Sequence, residues 1–369
     1  MSTETSYADK VAEAVEGRSE MFDLMSRHDH EQVVFTYDPS SGYRGIIAIH
    51  NTALGPALGG TRFWNYDSDY DALIDVLRLS RGMTYKAAVA GLNLGGGKAV
   101  IIGDNRTTQR EMVMRAHGRA VESLAGRYYT AEDVGTSVAD MDYIHMETEH
   151  VVGMAGKSGD PSPVTAYGTY RGIKACSLKK FGTDDLAGRS VVIQGAGHVG
   201  YFLAEDLRAE GAKVFVADID GDRVQRCVDE LECEAVGADE VYDVDADVFA
   251  PCALGAILND DTIPRLKVKI VAGAANNQLA KSRHAAMLEE RDVLYAPDYV
   301  INAGGLINVY SELAGWTLER SKRKAGEIYS TLLAIFDLAA ADGITSAEAA
   351  DEVAMRRVHA VTQLHRTYV

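Results

Sequence analysis

Val191-Val192-Ile193-Gln194-Gly195-Ala196-Gly197-His198-Val199-Gly200-Tyr201-Phe202 is the stretch that decides the fold. Its apolar opening reads as a buried strand, Gly195 to Gly200 as a Gly-x-Gly-x-x-Gly turn, and Tyr201 to Glu210 as a helix. A second strand, Lys213 to Ala217, ends at Asp218, 18 positions beyond Gly200. The glycine pattern alone is weak. Between a strand and a helix, with an acid closing the next strand, it becomes a dinucleotide-binding fingerprint. The glycines allow a tight turn and a close backbone approach to a pyrophosphate, which the helix N-terminus faces. Asp218 is expected to accept hydrogen bonds from the adenosine ribose and to repel a 2′-phosphate. That favours NAD over NADP, a preference that Arg223 tempers. His198, inside the turn, is expected beside the cofactor or on the surface.

Downstream, Val248 to Ala250, Ile270 to Ala272 and Val293 to Tyr295 read as strands alternating with helices, so a parallel, doubly wound α/β sheet is expected. Ligands bind such sheets beyond the strand C-termini. The candidate cofactor residues are therefore Gly195, Ala196, Gly197, His198, Val199, Gly200, Asp218 and Ile219, with Cys252, Ala253, Ala275, Asn276 and Asn302 from the later loops and Thr165 from the preceding helix. Asn276 is a candidate for the ribose or carboxamide. Gly153 to Pro163, rich in glycine and proline, reads as a linker. The expected division is a substrate-binding and oligomerisation domain over residues 1–150 and an NAD-binding domain over 151–345. A C-terminal helix at about 346–369 is expected to pack back onto the first domain. Two amphipathic helices, Leu318 to Ala341 and Ser346 to His365, finish the chain.

Composition narrows the function. A chain of 369 residues accommodates about two domains. With 54 acidic against 37 basic residues, the net charge of −17 leaves no basic excess for phosphates, which argues against nucleic acid or an anionic membrane as partner. No apolar run approaches the length of a membrane span, and the start lacks a signal-peptide layout. Cys176, Cys227, Cys233 and Cys252 show no metal-ligand or CxxC spacing, so reduced thiols, no metal and a cytoplasmic setting are expected.

The first part of the chain opens with a polar stretch to about residue 19, expected to be frayed, and a short helix from Met21 to Arg27. Gln32 to Tyr37 and Tyr43 to His50 then read as a hairpin about Asp38-Pro39-Ser40-Ser41-Gly42. Gly55 to Arg62 reads as a glycine-rich approach and Tyr70 to Leu79 as a helix. Between Gly82 and Lys98 two lysines, Lys86 and Lys98, stand among small and apolar residues with no acid between them. Two readings stand side by side. Either one lysine holds an anion and the other exchanges a proton, or both stems pack on the surface with their heads in water. Gly95, Gly96 and Gly97 leave room for a ligand or another backbone. Lys98 is placed at a strand start. A helix from Thr108 to Leu124 and a strand near Tyr128 to Ala131 follow. Glu132 and Asp133 beyond that strand point to opposite sides of an extended segment, so only one can face the lysines.

Taken together, Gly55 to Phe63, Gly82 to Lys98, Thr130 to Gly135, Pro163 to Gly168, the glycine turn, Pro251 to Gly255, Ala275 to Leu279 and Tyr295 to Asn308 resemble the family of dehydrogenases that deaminate glutamate, leucine, phenylalanine or valine, and most of all its leucine-deaminating members. The resemblance covers nearly the whole chain. It implies two domains with a deep cleft between them, a homo-oligomer (an octamer or a dimer), and roles for individual residues. Lys86 is then the cation for the substrate α-carboxylate, Lys98 the catalytic lysine, and Asp133 rather than Glu132 the catalytic carboxylate. After hydride transfer from Cα to NAD an iminium remains. Lys98, its pKa lowered by burial and by Lys86, activates the attacking water, and Asp133 moves protons to and from the departing amine. Ammonia and a 2-oxo acid are the products, and the reverse direction is reductive amination.

Glutamate-using relatives carry a lysine just before the pair matching Gly59 and Gly60, where this chain has Leu58. A leucine cannot compensate a buried carboxylate. Leu58, Ala131, Leu306 and Val309 are expected to form an apolar pocket for leucine, isoleucine and valine, with Ala131 arguing against an aromatic ring. The chain departs from the family pattern in an N-terminal extension and in Gly97, where alanine is often seen. Rival readings are a phenylalanine-deaminating enzyme, a non-catalytic NAD sensor, which the intact Lys86, Lys98 and Asp133 disfavour, and a 2-hydroxy acid dehydrogenase. The last needs a histidine with a carboxylate partner, and His145 lacks an evident one.

Overall fold

The computed structural model describes residues 21–154, 156–157 and 159–367; the polar start expected to fray lies outside them. The chain divides into two compact units. One groups the described residues up to Gly159 with Val309–Gly315 and the chain from Ala354 onward, and the other holds Asp160–Asn308 and Trp316–Val353.

The first unit is built on a mixed sheet of β1 (Gln32–Asp38), β2 (Tyr43–Asn51), β3 (Ala57–Trp64), β4 (Gly95–Ile102) and β5 (Tyr128–Glu132), in the order β1-β2-β4-β3-β5. β1 and β2 form the expected antiparallel hairpin, β2 is antiparallel to β4, and β3 runs parallel to both β4 and β5. The glycine-rich approach is therefore a strand, a correction to the sequence reading. Glycine is disfavoured in strands, but here a Cβ on Gly59 would lie 1.7 Å from the Gly97 carbonyl oxygen, so close strand packing demands it.

α1 (Met21–Ser26) and α2 (Asp69–Val89) pack on one face of this sheet, where Leu24, Leu73, Val76 and Leu77 bury against Ile46, Ala48 and Val100. α3 (Arg110–Glu122) and α4 (Val138–His145) cover the other face, with Val113, Met114, Met141 and Ile144 against Ile47, Ala57, Ala99 and Ile101. Ser68 caps α2 by accepting from the Asp71 N–H. The helix runs ten residues beyond the expected end at Leu79, through Gly82 to Val89. Gly82 is exposed with open space at its Cβ position, so nothing there ends the helix. Lys86 is thus a helix residue.

The second unit is a parallel sheet of β6 (Ser190–Gln194), β7 (Lys213–Ala217), β8 (Glu234–Ala235), β9 (Val248–Pro251), β10 (Ile270–Val271) and β11 (Leu294–Tyr295), in the order β11-β10-β9-β6-β7-β8. The two-residue, exposed β8 has no apolar run to announce it. α5 (Ser162–Phe181), α6 (His198–Ala209), α7 (Gly221–Leu231) and α8 (Arg283–Glu290) accompany the strands, and α9 (Asp298–Ile301) precedes α10 (Gly304–Ala314). The single helix expected over Leu318 to Ala341 is two, α11 (Leu318–Gly326) and α12 (Ile328–Asp342), meeting at Gly326 and Glu327. α13 (Ser346–Thr367) follows, and no single described helix is long and apolar enough to cross a membrane. Arg357 on α13 donates to the carbonyls of Ala87, Ala88 and Leu92 at 3.3, 3.0 and 2.8 Å, adding a clamp at the end of α2 to the backbone bonds that Ala87 and Ala88 already accept.

Candidate active site

Strand register assembles the site of the first unit. Side chains of paired residues share a sheet face, and the face alternates along each strand. Leu58 pairs with Gly96 and Tyr129, Gly60 with Ala131, and Arg62 with Val100. Leu58, Gly60, Arg62, Lys98, Ala131 and, by continuation, Asp133 therefore belong to the α2 face, while Gly59 and Glu132 belong to the other.

Lys98 is only 5% exposed. Its Nζ lies 3.0 Å from Oδ2 of Asp133, and Arg62 Nε approaches the same oxygen at 3.1 Å. Arg62 also reaches Asp75 Oδ2 on α2 at 2.7 Å, and that oxygen accepts from the Tyr66 hydroxyl at 2.8 Å. Arg78 meets Asp75 Oδ1 at 2.9 Å. The loop carrying Asp133 is fixed by Thr136, whose Oγ1 accepts from the Asp133 N–H at 2.9 Å and donates to the Thr61 carbonyl at 3.0 Å.

These contacts set the charges. Burial lowers the Lys98 pKa below the usual lysine value, against the opposing pull of Asp133 and with help from Arg62. Burial works against an ionised Asp133, yet Lys98 and Arg62 outweigh it and hold the carboxyl below its ordinary value. Arg62 is a neighbouring cation in this balance that the sequence reading, which named Lys86, did not include. Arg62 and Asp75 were not singled out from the sequence. The available signal was an arginine two residues beyond Gly60, on the same strand face, with an acid on the facing helix.

Lys86 is half-buried on α2. Leu58 and Ala131 are buried apolar residues on the face of Lys98 and Asp133. The room beside the three glycines is taken by the protein itself rather than left for substrate. A Cβ on Gly96 would meet the Thr84 N at 2.1 Å, and one on Gly97 the Tyr128 ring at 2.6 Å, which accounts for glycine at position 97. Leu306 is buried and Val309 half-buried on α10. His145 bonds to the Thr148 carbonyl at 3.2 Å, with no carboxylate ion pair among the described residues.

In the second unit the predicted cofactor residues gather beyond the strand ends. A Cβ on Gly200 would lie 1.9 Å from the Gly195 carbonyl, the close approach that the turn requires. The Cys252 N–H donates to the Gln194 carbonyl at 2.7 Å, which puts Ala253 against Gly195, and the Ala275 N–H donates to Pro251 at 2.8 Å. Asn302 Nδ2 donates to Ala274 at 3.1 Å and to Asn276 Oδ1 at 2.7 Å. Thr165 Oγ1 lies against Gly305, where an added Cβ would approach it to 3.2 Å. Asp218 Oδ2 accepts from the Ala196 N–H at 2.7 Å and Oδ1 from Asp220 at 2.9 Å, ordering the turn while each oxygen keeps a further lone pair. His198 is exposed at the start of α6, 3.3 Å from Asp160, and Val199 is half-buried.

These residues fit a dinucleotide. Asn302 Oδ1 and Gln194 Oε1 are buried without a hydrogen-bond partner, a costly state that a bound polar group relieves. Ile219 is 97% exposed beside Asp218, an apolar surface suited to an adenine ring.

A buried lysine and carboxylate on a mixed sheet, together with a dinucleotide turn on a parallel one, define an amino acid dehydrogenase using NAD or NADP. The chain belongs to the Glu/Leu/Phe/Val dehydrogenase family: residues 30–150 match its dimerisation domain, and residues 222–366 match the Glutamate/Leucine/Phenylalanine/Valine dehydrogenase domain. It is 54% identical to leucine dehydrogenase of Thermoactinomyces intermedius, over 95% of this chain and 96% of that one. It is 47% identical to phenylalanine dehydrogenase of Caldalkalibacillus thermarum, over 93% and 95%. The crystal structure of L-tryptophan dehydrogenase from Nostoc punctiforme is similar at a TM-score of 0.85, with 43% identity over 93% of this chain and 99% of that one.

Proposed function

We propose that the protein is a leucine dehydrogenase-type enzyme, oxidatively deaminating leucine, isoleucine and valine to 2-oxo acids and ammonia with NAD, and running the reverse reductive amination. The observation that carries this is the buried Lys98–Asp133 pair on the same strand face as Leu58 and Ala131. The pair supplies a base and a proton carrier, and the neighbouring apolar residues offer nothing to a charged side chain.

NAD, when bound, supplies the hydride acceptor. Lys86 holds the substrate α-carboxylate. Lys98, its proton loosened by burial, takes a proton from the water that attacks the iminium carbon. Asp133 rests as a carboxylate beside Arg62, is protonated by the group that gives up its proton, and passes that proton on as the amine departs. Leu58 and Ala131 give the substrate side chain an apolar surface. Such a surface separates side chains that differ by a methylene by only about 1 to 3 kcal/mol, so all three branched substrates are accepted.

Asp218 favours NAD over NADP, because its carboxylate repels a 2′-phosphate. Self-association is supported by β1, an edge strand with Phe35 and Tyr37 exposed, within the segment matched to the dimerisation domain. A closed homo-oligomer, octamer or dimer, is the expected form. A reducing, cytoplasmic setting accords with four cysteines, none of them in a disulfide.

The test is NADH and NADPH formation over a panel of amino acids, run beside Lys98→Ala. Branched aliphatic substrates with NAD are expected to lead, and Lys98→Ala is expected to lose turnover while still binding NADH. Preference for phenylalanine by a wide margin refutes the pocket reading, and an active Lys98→Ala refutes the chemistry.

A further inference from the structure

Arg62 is the charged side chain of β3, and it spans two carboxylates. Its Nε meets Oδ2 of Asp133 at 3.1 Å, and its Nη1 meets Oδ2 of Asp75 at 2.7 Å. Asp75 is fixed in turn by the Tyr66 hydroxyl and by Arg78. A guanidinium gripped at two positions has a set plane as well as a set place. Lys98 reaches the same Oδ2 at 3.0 Å, so two cationic donors converge on one oxygen of Asp133, and the Val134 backbone N–H also bonds the carboxylate.

We propose that Arg62, braced by Asp75, is a positioning residue that fixes Oδ2 of Asp133 against Lys98 and so sets the orientation of the carboxylate toward the amine of the substrate. The proposal rests on the assignment of Lys98 and Asp133 made above. Arg62 acts through Asp133 and is not itself a catalytic residue.

The charged groups that act on the pair come from several elements. Lys98 faces Asp133, Arg62 from β3 and Asp75 from α2. Asp133 faces Lys98 and Arg62, with Glu132 and Tyr128 responding to it from β5. β2 carries the titratable His50, engaged with Thr84 and the His28 carbonyl, and α2 also carries the half-buried Lys86. In this set Arg62 lowers the affinity of Lys98 for its proton and Asp75 raises it. Removing either charge must therefore move the titration of Lys98 in opposite directions, a signature that a merely structural pair would not give.

The experiment compares pH profiles of kcat/KM for leucine with NAD in the wild-type enzyme, Arg62→Met, Arg62→Lys and Asp75→Asn. The acid limb, where Lys98 must lose its proton, is expected to move up by about half a pH unit or more in Arg62→Met and down in Asp75→Asn. In Arg62→Met, kcat is expected to fall about tenfold or more, while KM for leucine stays within about threefold, because Lys86 is untouched. Arg62→Lys restores the charge without the fork. Its limb is expected at the wild-type position and its kcat between those of the wild type and Arg62→Met. NADH binding and thermal melting confirm that each variant folds; if Arg62→Met does not, Arg62→Lys and Asp75→Asn carry the comparison. Limbs that stay at the wild-type position, or that move the same way in both charge-removing variants, overturn the proposal. An inactive Lys98→Ala beside unshifted limbs sinks this inference alone, whereas an active Lys98→Ala sinks the assignment beneath it as well.

Discussion

Leu58→Lys tests the substrate reading most directly. Leu58 is 2% exposed on β3, two residues from Gly60, and faces the same side of the sheet as Lys98 and Asp133. Burying a leucine side chain contributes about 1.5 to 3 kcal/mol relative to leaving it exposed. The variant loses that contact with an aliphatic substrate and places an unpaired ammonium beside it. A substrate carboxylate gains a charge-assisted hydrogen bond instead, about 1.5 to 3 kcal/mol. Together these shift the preference between leucine and glutamate by about 3 to 6 kcal/mol, which is about 10² to 10⁴ in the ratio of their kcat/KM values. The assay is initial-rate NADH formation with each amino acid, alongside NADH binding and the melting temperature of the variant. A ratio within about tenfold of the wild type, in a variant that folds and binds NADH, refutes the placement of Leu58 against the substrate side chain.

Acid should weaken the first unit. Burial lowers His117 and His50 from 6.5 to about 3 and His30 to about 4. The unfolded chain takes up protons near pH 6.5 while the fold does not, so stability is full above that pH and is lost as the pH falls toward 4, by up to about 1.4 kcal/mol per unit for each histidine. Urea midpoints at pH 7 and pH 5 should show a smaller acid loss in His117→Gln than in the wild type, and parallel losses would count against a neutral buried His117. Asp218→Ser should raise the NADP to NAD ratio of kcat/KM by about tenfold or more, since the repelling charge is gone. An unchanged ratio would deny Asp218 its role in cofactor choice.

The second unit was legible because each of its main strands is a short apolar run closed by glycine or a polar loop, and because the Gly195 to Gly200 turn permits few alternatives. The first unit hid two elements. β3 is rich in glycine because Gly59 and Gly60 lie against neighbouring backbone, at 1.7 Å from Gly97 O and 2.5 Å from Glu132 O for an added Cβ, and such closeness leaves no mark on apolar periodicity. The length of α2 was hidden by Gly82, a helix-weakening residue tolerated where the helix is exposed. At the site, strand alternation said only that one of Glu132 and Asp133 faces the lysines, and the family resemblance pointed to Asp133, the one that meets Lys98 at 3.0 Å. The partnership of Arg62 with Asp75 arises from β3 packing against α2, elements apart in the chain, and no local string records it.

The bonds from Arg357 to the end of α2 carry a consequence for synthesis. Protein chains emerge from the ribosome in order, and domains generally fold as they appear. Here the unit that bears Lys86, Lys98 and Asp133 receives its last helix from residues beyond Ala354. Arg357 ties itself to three carbonyls at and just past the end of the helix that carries Lys86. The parallel-sheet unit has nearly all of its residues in hand by then, although it begins later. Translation order and completion order are thus reversed, and a chain stopped short of Arg357 leaves the helix carrying Lys86 unclamped.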